Sequence, residues 1–236
     1  MADLTSPLSR RTLLESAIAV AAAMVLPKPL GAWVSTSPDR HRLASWTAAL
    51  RAEKLSGPEA ALAPAAARVG ELAAGTPYQP GTLDAYLRAG GRPSSLEPLT
   101  LSLTRFDCVT LVESCLAVAR VAAGAGPPRW ARFGHEIERM RYRGGVRRGY
   151  PSRLHYFSEW ITDGEGRGLV RDLGSELGAM EDTRPLRFMT EQRDKYPALA
   201  DEGVFQGIAA MERRLDGHPR RVVPTERIAE VADRIE

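Results

Sequence analysis

Apolar positions along the chain fall into several helical stretches and few extended ones. Leu43, Trp46, Leu50 and Leu55 lie near one face of an alanine-rich stretch over 41–74, with Pro58 and Pro64 interrupting its continuation. Thr82 is placed to cap a short helix through Leu87, ended by Gly90-Gly91. Leu99-Thr100-Leu101-Ser102-Leu103 alternates with period two and predicts a short strand. Cys108 to Ala123 is the strongest helical pattern, with Val112, Cys115, Leu116 and Ala119 as its apolar stripe and Pro127-Pro128 as its stop. Trp130, Phe133, Ile137 and Met140 mark a second amphipathic helix, with Arg132, Glu136, Arg139 and Arg141 off the stripe and Gly144-Gly145 ending it. Residues 154–171 read as short extended pieces separated by Gly164 and Gly166. A helix is expected at 205–215, and a last one from Thr225 with Ile228, Val231 and Ile235 on one face. The class is α+β, with helices outnumbering strands.

The first residues read as an address. Ser9-Arg10-Arg11-Thr12-Leu13-Leu14 is a twin-arginine pattern, followed by an apolar run from Ala17 to Leu26 closed by Pro27. That run is half the roughly 20 residues needed to span a bilayer. Gly31-Ala32 supplies small residues for cleavage before Trp33. The expected layout is a signal peptide over 1–32, a helical extension over 33–69 and a main domain over 70–236. The mature protein is expected to be exported to the periplasm or cell envelope, without a membrane span once the signal is removed. An ordinary N-terminal helix with a chance Arg-Arg pair is the competing reading.

Composition narrows the chemistry. The 236 residues are 44% hydrophobic and 26% charged, which excludes wholesale disorder. Two cysteines cannot build a disulfide scaffold or a four-cysteine zinc site. The four histidines, at 41, 135, 155 and 218, have no paired metal-ligand spacing. His135 is followed four residues later by Arg139, where a two-histidine zinc helix needs its second ligand. No metal or organic cofactor is implied. The net charge of +3 is carried mostly by arginine. Arg139, Arg141, Arg143, Arg147, Arg148 and Arg153 interleave with Tyr142, Tyr150, Tyr156 and Trp160. That composition alone is compatible with stacking on single-stranded nucleic acid, with arginine forks on carboxylates beside a stacked saccharide, or with a solvated face. No nucleic-acid motif accompanies it, so no nucleic-acid partner is expected.

Phe106-Asp107-Cys108-Val109-Thr110-Leu111-Val112-Glu113 carries the clearest chemical signal. Cys108 falls in the first turn of a helix, where free N–H groups and the helix dipole favour a thiolate nucleophile. Asp107 is a natural N-cap that can also bind a cationic group. Cys115, two turns on, reads as a small core residue. About 10 Å separates residues at that spacing, which excludes a disulfide between the two. Glu113 is one and a half turns from Cys108 and points away from it, toward a structural hydrogen bond.

Gly75-Thr76-Pro77-Tyr78 followed by Phe106-Asp107-Cys108 resembles the opening of the NlpC-type cysteine peptidases of bacterial cell walls. Asp107 to Glu113, Arg141-Tyr142-Arg143-Gly144-Gly145, Ser152 to Trp160 and Phe188-Met189-Thr190 resemble the N-acetylmuramoyl-L-alanine amidase-like branch, over residues 70–236. The resemblance implies a papain-like fold with a central antiparallel sheet. It also implies hydrolysis of the amide between N-acetylmuramic acid and L-alanine, with peptidoglycan or a muropeptide as partner. It makes Cys108 the nucleophile. Tyr78 positions substrate or stabilises the oxyanion, and Asp107 lies near the peptide end. Arg153, His155 and Tyr156 match a stretch read as lining the substrate cleft.

The resemblance also implies a catalytic histidine on a later strand. The sequence stops at Glu236, where that segment is expected, so the central sheet is expected to be incomplete and the chain a fragment or a degenerate relative. His155 is the alternative base. A non-catalytic peptidoglycan-binding protein is the competing function.

Overall fold

The computed structural model of the chain describes residues 36–57 and 60–232. The expected signal peptide over 1–32 and Ile235 lie outside the described residues. One helix organises the first half. Cys108 opens it, Ala123 closes it, and its buried side is built from Thr110, Glu113, Ser114, Ala117, Val118, Val121 and Ala122. It is named α4 in chain order. Around it pack α1 (Ser37–Ala52), α2 (Leu62–Leu72) and α5 (Trp130–Arg141), and the short α3 (Ala85–Arg88) precedes it. Small side chains on α4 allow these close approaches, while Leu43, Leu50, Val69, Phe133 and Ile137 are each at most 2% exposed and fill the space between.

Sequence chemistry sets the helix ends. Thr36 and Asp39 form a capping box at the start of α1, with Pro38 in the first turn. Pro64 does not interrupt a helix: it sits in the first turn of α2, where the missing N–H has no intrahelical partner to lose. Gly144 and Gly145 both adopt positive φ, 61° and 74°, and turn the chain out of α5.

The second half is a separate cluster. Residues 150–152 form a 3-10 turn, followed by α6 (Phe157–Gly166), β1 (Met180–Asp182), α7 (Phe188–Glu191), α8 (Glu202–Arg214), β2 (Arg220–Val222) and α9 (Ile228–Ala232). β1 and β2 pair antiparallel, Glu181 opposite Arg221. Tyr150, Met189, Leu199, Val204, Ile208 and Met211 pack as one core. The molecule is thus helix-rich with a small two-stranded sheet, an α+β arrangement.

Four sequence expectations are corrected. Leu99 to Leu103 is not a strand, because side chains occupy its backbone groups: Arg141 Nη1 donates to the Thr100 carbonyl, Asp39 accepts the Leu103 N–H, and Arg42 donates to the Leu103 carbonyl. Residues 157–166 form α6 rather than extended pieces; Gly164 and Gly166 lie in its last turn, where a missing side chain costs little. The stripe on α4 holds only in part: Cys115 and Ala119 are buried as expected, but Val112 is 42% exposed, and Glu113, Ala117 and Val118 are buried beside them. Thr82 does not cap α3; Asp84 holds the cap position and Thr82 is spent elsewhere.

Arg141 is also not an outer residue of α5. Its Nε and Nη2 both donate to Glu113 Oε2, at 2.8 and 2.7 Å, and both side chains are almost fully buried. Burial pushes the Glu113 carboxyl up and the guanidinium pulls it back, so each group depends on its partner. Glu113→Ala is expected to lower stability by about 3–5 kcal/mol, because it strands a buried charge. Glu113→Leu combined with Arg141→Met is expected to cost less than Glu113→Ala alone, both read by urea unfolding. Asp39 gives a pH signature. Burial pushes its carboxyl up, but donors from Thr36, Leu103 and Thr104 outweigh this and hold it below its ordinary 3.8. The unfolded chain therefore binds the proton more readily, and Asp39 contributes stability that is lost as pH falls below about 4. Asp39→Asn is expected to flatten that acid limb of the melting curve.

Candidate functional site

Cys108 is the first residue of α4 and is exposed; Cys115, on the same helix, is buried. Burial pushes the Cys115 thiol up to about 11, as expected of an inert core cysteine. Two loops meet where α4 begins. Tyr78 forms an isolated parallel bridge with Phe106, in which Gln79 N–H donates to the Phe106 carbonyl at 2.7 Å and Phe106 N–H donates to the Pro77 carbonyl at 3.2 Å. This places the Tyr78 loop beside the segment that delivers Cys108. The Tyr78 side chain is 68% exposed, so its ring is available to a ligand. Among the described residues, no hydrogen bond is made to the Cys108 thiol.

Asp107 is held on both carboxylate oxygens. Oδ1 accepts from the Thr110 N–H and hydroxyl, each at 2.8 Å, completing a capping box, and Oδ2 accepts from the Thr82 hydroxyl at 2.7 Å. Burial raises its carboxyl, yet these donors outweigh it and hold Asp107 ionised below its ordinary range. A cavity of about 110 Å³ lies behind this cap, lined in part by Thr82, Thr110, Ser114 and Arg141. On the outer side, Val112 and Leu116 stand one and two turns beyond Cys108. They line an open groove of about 420 Å³ with Trp160, Ile161, Leu173 and Leu177.

The other three residues singled out from the sequence sit on a second segment. Arg153 is 5% exposed. Its Nη2 pairs with Asp84 at 2.6 Å, its Nη1 with Glu97 at 3.3 Å, and its guanidinium lies 4.7 Å above the Tyr150 ring. His155 Nε2 lies 3.0 Å from the Tyr150 carbonyl, and its ring stacks on Tyr150 at 4.5 Å. Burial and the nearby Arg153 cation hold the imidazole neutral, well below its ordinary 6.5. The Tyr156 hydroxyl donates to Glu212 at 2.6 Å and accepts from the Met189 N–H at 3.1 Å.

Tyr78, Asp107 and Cys108 are therefore brought together, while Arg153, His155 and Tyr156 form a packed group of their own. Residues 82–84 connect the two groups, Thr82 reaching Asp107 and Asp84 reaching Arg153. Sequence reasoning missed three participants. Glu97, 1% exposed, accepts from both Tyr142 and Arg153. Glu212, fully buried, also accepts from Met189 N–H and the Thr190 hydroxyl, so it joins the Tyr156 and Phe188-Met189-Thr190 motifs. Thr82 is the third. A carboxylate far along the chain from its partners leaves no local signal.

The basic stretch is largely self-neutralised. Of its six arginines, Arg139, Arg141, Arg143, Arg147 and Arg153 are all in ion pairs. Among the described residues, no group of three or more His, Cys, Asp or Glu side chains is arranged to hold a metal, and no helix is long and apolar enough to cross a membrane.

An N-acetylmuramoyl-L-alanine amidase from Bacteroides uniformis is 25% identical, with a TM-score of 0.60 over 69% of this chain and 65% of its own. A Bacteroides fragilis protein provisionally described as a xylanase is 28% identical, with a TM-score of 0.58 over 67% of this chain and 66% of its own. The chain spans about two thirds of the length of these relatives, whose descriptions name different activities. No curated protein matches the chain. The AmiA-like family model, described as N-acetylmuramoyl-L-alanine amidase-like, matches residues 68–236, which include Tyr78, Asp107, Cys108, Arg153, His155 and Tyr156. The chain belongs to the AmiA-like, N-acetylmuramoyl-L-alanine amidase-like family.

Proposed function

We propose that the protein is a peptidoglycan amidase of the NlpC-type, papain-like kind, with Cys108 as its nucleophile and the bond between N-acetylmuramic acid and L-alanine as its target. The family membership supports the amidase class and the wall substrate. The single observation that carries the nucleophile is the exposed thiol of Cys108 at the first position of a sixteen-residue helix, beside the Tyr78 loop. A thiolate there attacks the amide carbonyl. The resulting oxyanion lies within the field of the free N–H groups of the first turn of α4, of which the Cys108 N–H is one. Collapse of the tetrahedral intermediate breaks the C–N bond, and the amine leaves with the proton given up by the thiol. Water then hydrolyses the thioester, releasing the carboxylate and restoring the thiol. Tyr78, exposed at the mouth, is suited to orient the substrate, and Asp107 holds the turn that presents the thiol.

His155 is a poor base for this reaction. Its Nε2 is engaged by the Tyr150 carbonyl and its imidazole is buried against Tyr150. The engagement of His155 by the Tyr150 carbonyl favours a second reading, a peptidoglycan-binding relative that holds a muropeptide without cleaving it. Export through the twin-arginine route, from the Ser9 to Leu14 pattern, suits either reading.

Cys108→Ala is expected to reduce muropeptide hydrolysis about ten-thousandfold or more while leaving the melting temperature unchanged. Unchanged turnover removes Cys108 from the mechanism. Absence of turnover in the unaltered protein, with a muropeptide still raising its melting temperature, selects the binding reading.

A further inference from the structure

α1 lies outside the stretch that matches the family, yet two of its side chains reach the loops of the candidate site. Asp39, 3% exposed, accepts the Leu103 N–H at 2.8 Å and the Thr104 hydroxyl at 3.2 Å. Arg42, almost one turn on, uses a single nitrogen twice: Nη1 donates to the Leu103 carbonyl at 2.8 Å and to the Thr76 hydroxyl at 2.8 Å. Its guanidinium also lies 5.6 Å from the centre of the Trp46 ring, and Trp46 is buried.

Thr76 is two residues before Tyr78, and Leu103 is three residues before Phe106, the bridge partner of Tyr78. One nitrogen therefore spans the two loops whose pairing sets Tyr78 beside Cys108. We propose that Arg42 is a positioning residue of the candidate site, fixing the separation of the Tyr78 loop from the Cys108 loop by its two Nη1 hydrogen bonds. Its link to catalysis rests on the assignment of Cys108 as nucleophile. Asp39 supports the clamp by fixing the backbone at Leu103 against the same helix. The family-matching region accordingly takes part of its site geometry from residues that precede it.

The test uses the full chain with Arg42→Gln, Thr76→Val, both together, and Arg42→Lys. Iodoacetamide labelling at pH 7 is followed by mass spectrometry at both cysteines, alongside muropeptide turnover and melting temperature. An ammonium can donate to both acceptors, so Arg42→Lys is the rescue. Arg42→Gln and Thr76→Val are each expected to change the Cys108 labelling rate at least about threefold and to lower kcat about tenfold. KM stays within about twofold and the melting temperature within about 3 °C. Cys115 stays unlabelled, the double variant is no worse than either single one, and Arg42→Lys recovers most of the loss. Unchanged labelling and turnover in both single variants overturn the proposal. So does a loss that tracks the melting temperature while Cys115 becomes labelled, which is the mark of a merely structural contact. If the unaltered protein does not turn over muropeptides, the amidase assignment fails by itself, and the labelling rates still decide the role of Arg42.

Discussion

The described structure depends on carboxylate–arginine and carboxylate–backbone bonds that hold the segment leading to Cys108. Among the described residues the only strands are three residues long. Ahead of the Phe106 bridge, the segment 99–104 has no ladder among the described residues, and side chains satisfy much of its backbone instead. Arg141 reaches Thr100, Asp39 reaches Leu103, and Arg42 reaches Leu103 from the other side. The Glu113–Arg141 pair anchors the arrangement, because Arg141 can spend Nη1 on Thr100 only while Glu113 neutralises it. A buried pair of this kind is weak evidence for stability. Its value here is register: it locks α5 to α4 and both to the loop leading to Cys108.

The same logic reaches the site. Asp107 caps α4 with one oxygen and holds Thr82 with the other, so the turn that presents the thiol is tied to the segment that carries Asp84. Asp84 in turn pairs with Arg153, whose other arm reaches Glu97. A short chain of polar contacts thus runs from the helix of Cys108 to the packed aromatic group at Tyr150, His155 and Tyr156. The Thr82–Asp107, Asp84–Arg153 and Glu97–Arg153 contacts join groups distant in sequence, and each involves a charge that is expensive to bury alone.

Much of this was legible in the sequence where the signal is local. The bounds of α4, the Asp107 cap and the Glu113 side that faces away from Cys108 follow from helical spacing and capping chemistry. The apolar positions of α5 follow from its period. The illegible parts are those in which side chains override local pattern. Leu99 to Leu103 alternates like a strand, but among the described residues no strand pairs with it, and its Thr100 and Leu103 carbonyls accept from arginines. Arg141 is polar and sits in a basic run, so sequence puts it outside; only Glu113, 28 residues earlier, can bring it in. The exposure of Val112 on α4 has the same origin, since a buried charged pair claims the face that a purely apolar reading gives to Val112.

These observations also separate two properties of the candidate site. The elements that place the thiol are over-determined: a capping box, a loop-to-loop bridge, and contacts from Thr82, Asp39 and Arg42 converge within a few residues of Cys108. The outer face of the same helix is loosely furnished, with Val112 exposed and an apolar groove running past Leu116 to Trp160. A hydrolase needs both a fixed nucleophile and a proton-transfer partner within hydrogen-bond reach of it. In the proposed reading Cys108 is the first, held by its cap and its two loops. His155, the alternative base named from the sequence, has its Nε2 engaged by the Tyr150 carbonyl. Preorganisation of the thiol without a bound base is a coherent state for an amidase, because the base does not shape the cap or the loops.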